Sequence, residues 1–166
     1  MSTARPDDAI VVIPVKSFDL AKGRLADHLD PDERSRLAQA MATRVIIAAA
    51  PLPAWVICDD ADVAALAIEA GANVLWRSSR GLNAAVRDGF EFARAEGVAS
   101  VIIAHADLPL ATTLAWVADF DGVTIVQDRR GDGTNVMCLP TSSPFSFRYG
   151  PGSAAAHQRE AVEQGL

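Results

Sequence analysis

The sequence predicts an α/β sandwich, a mostly parallel β-sheet with helices packed on its faces. Three observations carry that prediction. Short β-branched runs alternate with Ala-rich segments of helical length through the 166 residues, and such alternation builds parallel sheets covered by helices. The first run, Ile10-Val11-Val12-Ile13-Pro14-Val15, is apolar without a polar break, as expected of a strand buried on both faces. No repeat, linker or low-complexity stretch divides the chain, so residues 1–166 read as a single domain.

The elements follow in order. The first strand covers 10–15, and the loop after it holds Lys16, Lys22 and Arg24. Asp30-Pro31-Asp32-Glu33 is a helix start, with Asp at the cap, Pro in the first turn and Glu three residues past the cap. That helix runs to about residue 50, because Pro51 cannot continue it. A second strand covers 54–58, then a helix covers 61–70 and ends at Gly71. A third strand covers 72–76, a helix 82–96 ends at Gly97, and a fourth strand covers 99–104. Residues 110–120 read as helical, 122–126 as a fifth strand, 134–139 as a sixth, and 153–164 as the last helix. The Ala content of these helices reflects high helix propensity.

Composition narrows the function. Apolar residues make up 50% and charged residues 22%, which is ordinary for a globular domain. The net charge of −6 argues against a broad nucleic-acid surface, and a local basic pocket would stand out against it. Cys58 and Cys138 sit in apolar runs without metal-ligand spacing, which predicts buried free thiols in a reducing cytoplasm. Residues 10–15 are too short for a secretory signal. No stretch approaches the roughly 20 apolar residues of a membrane span. Trp55, Trp76 and Trp116 have no stacking-platform spacing and are expected in the core.

In open α/β sheets, ligands bind beyond the carboxyl ends of the strands. The loops there carry most of the unusual polar residues: Lys16, Lys22 and Arg24, then Asp59 and Asp60, then 80–83, then His105 and Asp107, then 128–134. The three cations after the first strand suit a triphosphate, although a solvated basic loop has the same composition. The loop is neither a Walker A loop nor a Gly-x-Gly-x-x-Gly fingerprint. Asp107, in His105-Ala106-Asp107-Leu108-Pro109, stands where a carboxylate holds a divalent metal against phosphates; its simpler reading is a helix cap. Asn83 suits a base edge or a ribose, or again a helix cap. Capping of the 61–70 helix accounts for at least one of Asp59 and Asp60. His105 is expected to be structural, His157 to face solvent or lie near the last turn, and His28 to lie on the surface. Two Gly-rich turns, Asp128-Arg129-Arg130-Gly131-Asp132-Gly133-Thr134-Asn135 and Arg148-Tyr149-Gly150-Pro151-Gly152-Ser153, expose backbone N–H groups suited to an anion. Ser153 also opens a helix, whose N-terminus favours negative charge.

Five of these motifs in order resemble one family. They are Pro-Val-Lys with Ala-Lys-Gly-Arg-Leu, Leu-Asn-Ala-Ala, Ala-Asp-Leu-Pro, Asp-Arg-Arg-Gly-Asp-Gly-Thr-Asn and Arg-Tyr-Gly-Pro-Gly-Ser, spanning 11–153. The pattern is similar to the 2-phospho-L-lactate guanylyltransferases, a family that includes the phosphoenolpyruvate guanylyltransferases. It lies within the molybdenum-cofactor-type nucleotidyltransferases, which have a glycosyltransferase-A-like α/β fold. The resemblance implies magnesium-dependent transfer of GMP from GTP to phosphoenolpyruvate, 2-phospho-L-lactate or 3-phosphoglycerate, in biosynthesis of the deazaflavin coenzyme F(420). It implies that Lys16, Lys22 and Arg24 hold the GTP phosphates, with Lys22, Arg24 and Asp107 catalytic. Asn83 would lie by the base or ribose, and Asp107 would ligate magnesium. Thr134, Gly150 and Ser153 would hold the acceptor.

Two features depart from the family pattern. His105-Ala106 stands where Gly precedes the Asp, and the sequence stops at Gln164-Gly165-Leu166, before a strand and an Asp-x-Asp segment that would add a metal carboxylate. A GTP-binding relative without turnover, with a regulatory or scaffolding role, is therefore the alternative. A sugar-phosphate or molybdopterin nucleotidyltransferase is a third reading, but the Leu-x-Gly-Gly loop of those families is absent after the first strand. A homodimer stays open.

Overall fold

The computed structural model describes residues 8–20 and 23–166. Among these residues six strands form one sheet: β1 (Ala9–Pro14), β2 (Ala54–Cys58), β3 (Asn73–Trp76), β4 (Ser100–Ala104), β5 (Thr124–Gln127) and β6 (Thr134–Pro140). Their order is β3-β2-β1-β4-β6-β5. The pairs β1–β2, β1–β4 and β2–β3 are parallel, whereas β6 lies antiparallel to both β4 and β5. The fold class is thus the α/β sandwich that the alternation predicts.

Among the described residues, four α-helices complete it: α1 (Pro31–Ala48), α2 (Ala61–Glu69), α3 (Leu82–Ala95) and α4 (Ser153–Gln164). The α1 start forms as its sequence dictates. Asp30 Oδ1 accepts the Glu33 N–H at 2.8 Å, and Glu33 Oε2 accepts the Asp30 N–H at 2.9 Å. Asp60 caps α2 by accepting from Asp62 and Val63 N–H at 3.0 Å.

Burial on both faces explains the unbroken apolar strands. Val11 and Ile13 pack with Val45, Val56 and Ile102 on the face covered by α1 and α2. Ile10 and Val12 pack with Val86, Phe90, Ile103 and Ala161 on the face covered by α3 and α4. Successive residues of a strand point to opposite faces, so each face needs its own apolar set. At Gly89 of α3 an added Cβ would lie 2.5 Å from both Ile57 Cδ1 and Val12 Cγ1. That glycine lets the helix approach the sheet closely.

Two expectations are corrected. Residues 110–120 do not form an α-helix; only Ala115–Asp119 makes a 3₁₀ turn. The Leu114 N–H instead donates to the Ala48 carbonyl at the end of α1, at 2.8 Å. The segment thus satisfies one of that helix's orphan carbonyls rather than its own ladder. Trp55 is half-buried against Phe92, but Trp76 and Trp116 are 51% and 45% exposed, outside the core. Cys58 and Cys138 are buried free thiols, as expected. Among the described residues, no helix is long and apolar enough to cross a membrane.

Candidate active site

Because β1 to β4 run parallel and β5 is reversed twice relative to β4, the carboxyl ends of β1 to β5 open on one edge. The start of β6 lies on the same edge. A cavity of about 350 Å³ opens there. Lys16 lines it after β1, Asp59 after β2, Arg77 and Ser79 after β3, and His105 and Asp107 after β4. Its apolar wall comes from Phe18, from Ala38, Met41 and Ala42 of α1, and from Leu82 and Ala85 of α3. Apolar walls with a few charged groups suit a ligand that is flat and apolar at one end and charged at the other.

The site residues read from the sequence divide into three groups. Lys16 and Asp107 line the cavity. Arg24 is exposed on the 3₁₀ turn Gly23–Leu25 and is not part of the cavity wall. Lys22 lies outside the described residues. The Asp107 side chain is half-exposed, with Oδ1 3.9 Å from His105 Nδ1. No helix begins after it, so the capping alternative for Asp107 falls away. Cys58 also lines the cavity, and burial pushes its thiol above the usual range, which disfavours the thiolate.

The remaining residues gather at the two Gly-rich turns, which the fold packs against each other. Asp128 Oδ1 accepts the N–H groups of Arg130 and Asp132 at 3.0 and 2.9 Å. Those backbone donors, Asp132 foremost, hold its carboxyl below the usual carboxylate range. Asp132 then bridges to the other turn: Oδ2 accepts the Gly152 N–H at 3.1 Å, and its carbonyl accepts the Ala154 N–H at 3.0 Å. A carboxylate of this chain therefore already meets the N-terminus of α4, where the sequence suggests an external anion.

Thr134 and Ser153 are each 2% exposed. The Thr134 N–H donates to Ser153 Oγ at 3.0 Å, and the two hydroxyl oxygens lie 3.5 Å apart. Their hydroxyls face inward and not onto an open pocket; Gly150, with φ of +138°, is the exposed member of this set. Asn83 neither caps α3, whose cap is Gly81, nor lines the cavity. Its Oδ1 accepts the Tyr149 N–H at 2.7 Å and its Nδ2 donates to the Tyr149 carbonyl at 3.0 Å. It clips the 148–153 turn to the start of α3 beside the cavity. His105, on the cavity wall, packs its ring 5.3 Å from that of Tyr149.

Of the two placements expected for His157, the one beside the last Gly-rich turn holds and the solvent-facing one does not. It is fully buried, with Nδ1 3.0 Å from Thr134 Oγ1 and Nε2 accepting the Arg148 N–H at 2.9 Å. Burial lowers its pKa to about 4. The sequence carried a signal for this: Ser153 and His157 are four residues apart in α4, and so share a helix face. Sequence reasoning also missed Arg77, Ser79 and Met41 as cavity residues. They sit at the end of an edge strand and on a helix face, with no motif to mark them.

Relatives fit this architecture. A model of the family described as "Guanylyl transferase CofC like" matches residues 9–166. The phosphoenolpyruvate guanylyltransferase of Chloroflexus aggregans is 32% identical over 94% of this chain and 84% of its own length. That of Sphaerobacter thermophilus is 33% identical over 95% of this chain and 80% of its own. Among solved structures, a nucleotidyl transferase from Methanothermobacter thermautotroptrophicus shares the fold, with a TM-score of 0.61 and 18% identity over 95% of this chain and 83% of that one.

Proposed function

This chain belongs to the guanylyl transferase CofC-like family, and we propose that it transfers GMP from GTP to a small phosphorylated three-carbon acid, releasing pyrophosphate. Phosphoenolpyruvate is the first acceptor to test, because the relatives at 32% and 33% identity carry that name. Its analogues 2-phospho-L-lactate and 3-phosphoglycerate are the others, and the product would serve coenzyme F(420) biosynthesis. The observation that carries this reading is the cavity at the sheet's carboxyl edge, where Lys16 and Asp107 share a lining with an apolar wall.

In this reading the apolar wall takes the base and ribose, and Lys16 meets the triphosphate; Lys22 and Arg24, which follow it in the sequence, are proposed to add positive charge, Arg24 from outside the cavity wall. Charge-assisted contacts of this kind are the strong ones. The acceptor lies at the 148–153 turn, against Gly150, with the Thr134–Ser153 pair behind it. A phosphate oxygen of the acceptor attacks the α-phosphorus in line. The bond between the α-phosphorus and the bridging oxygen breaks, and pyrophosphate leaves. The nucleophile is already an anion, so no side chain needs to remove a proton. Catalysis rests on positioning and on neutralising charge.

Magnesium is part of the proposal. Asp107 and Asp59 line the same cavity, and among the described residues no group of three or more His, Cys, Asp or Glu could hold an ion. This donor set fits an ion that arrives on the nucleotide, since magnesium is commonly held by one or two carboxylates plus substrate phosphates. When bound, it would neutralise charge on the triphosphate; Asp107 would hold it, with Asp59 the second carboxylate within the cavity.

The test incubates the protein with GTP, magnesium and each phosphoacid in turn, and measures pyrophosphate. Release that depends on the acceptor supports the proposal. GTP binding with no release under any acceptor leaves the non-catalytic reading instead.

A further inference from the structure

We propose that His157 is a positioning residue for the acceptor side of the site, a role that rests on the reading above. Its ring is fully buried, yet both nitrogens are engaged by the two Gly-rich turns. The backbone N–H of Arg148 is a fixed donor, so Nε2 is the acceptor and carries no hydrogen. The proton of the neutral ring therefore sits on Nδ1 and is donated to Thr134 Oγ1 at 3.0 Å. Thr134 Oγ1 is thereby an acceptor toward His157, and the Ser153 hydroxyl also points to it at 3.5 Å. Ser153 Oγ meanwhile accepts the Thr134 N–H. One imidazole thus sets the polarity of the Thr134–Ser153 pair and the seat of the Arg148 backbone.

The surroundings keep that ring neutral and still. Tyr149 packs edge-on with centroids 4.8 Å apart, and Phe145 packs at 5.9 Å. Glu160 favours the charged ring, but its carboxylate accepts from Ser146 N–H and Gln164, and burial outweighs it. An apolar side chain would fill the same volume without a buried polar atom. The two hydrogen bonds, each to a different turn, are what an imidazole adds at this position.

Three substitutions separate the roles. H157F keeps an aromatic ring and removes both hydrogen bonds. H157Q retains an acceptor near the Nε2 position for the Arg148 N–H. H157N retains a donor near the Nδ1 position for Thr134. KM for phosphoenolpyruvate and for GTP, kcat, and hydrogen exchange at the Arg148 amide are measured for each in the full chain. H157F is expected to expose the Arg148 amide and raise the phosphoenolpyruvate KM by about tenfold, a change of about 1.4 kcal/mol. Its GTP KM should stay close to wild type, and H157Q should recover most of the phosphoenolpyruvate loss. Equal shifts in both KM values overturn the proposal, as does an exposed Arg148 amide with acceptor kinetics unchanged. If H157F does not fold, the other pair decides: H157Q should protect the Arg148 amide and bind acceptor better than H157N, and no difference overturns the proposal. A wild-type protein that releases no pyrophosphate from GTP and phosphoenolpyruvate overturns the functional reading and the acceptor role with it. The exchange rates then still report whether the ring holds the turn.

Discussion

Asp107 and His157 show how position decides what a titratable side chain does. Asp107 is half-exposed at a strand end, on the cavity wall. Asp107→Asn should abolish magnesium-dependent turnover while leaving the melting temperature near that of wild type, because the side chain is half-exposed and the substitution nearly isosteric. Turnover and a thermal melt check this together; early melting with retained activity would make Asp107 structural. His157 lies in the interior, and its pKa falls from the ordinary 6.5 to about 4. In that window the unfolded chain binds a proton that the folded protein does not, so protons favour unfolding. The stability that neutral His157 contributes is complete above about pH 6.5. It is lost as pH falls toward about 4, by about 3 kcal/mol over the whole shift. Urea titrations at several pH values should show a shallower pH dependence for H157Q than for wild type across this window. Asp107 was legible because a carboxylate between a β-run and Leu108-Pro109 marks a strand end. The neighbourhood of His157 was legible in part, but its full burial was not, because its partners lie 23 and 9 residues away and meet it only when α4 packs.

At the scale of elements, local chemistry and tertiary packing divide the work visibly. The α1 start could be read off Asp30-Pro31-Asp32-Glu33, because a capping box is satisfied within one turn. Residues 110–120 could not, because Leu114 finds its partner at Ala48 of another element. Helix α3 makes a prediction of its own. Gly89→Ala should destabilise the protein by about 1–3 kcal/mol through overpacking, although Ala is the better helix former by about 1 kcal/mol. The new methyl would meet Val12 and Ile57 in the sheet. Chemical denaturation is the check, and a stabilised variant would show that α3 can move off the sheet freely.

For the molecule as a whole, the proposed reaction predicts a preference for GTP over ATP. Calorimetric titration of each nucleotide with magnesium measures it, and equal or tighter ATP binding would remove the guanylyl assignment. The sequence by itself determined the sandwich, nearly every strand and the edge on which the cavity opens. Those follow from periodicity, β-branching, caps and the rule that ligands gather at carboxyl ends, all of which act over a few residues. Only the tertiary structure decided which polar side chains reach the cavity and which are used up inside. Lys16 and Asp107 line it, whereas Asn83, Thr134 and Ser153 turn to partners 66, 23 and 19 residues away. The physical reason is that a side chain's hydrogen-bonding capacity is finite. Whichever donor or acceptor the fold brings nearest in a buried place claims it, and sequence spacing does not record that distance.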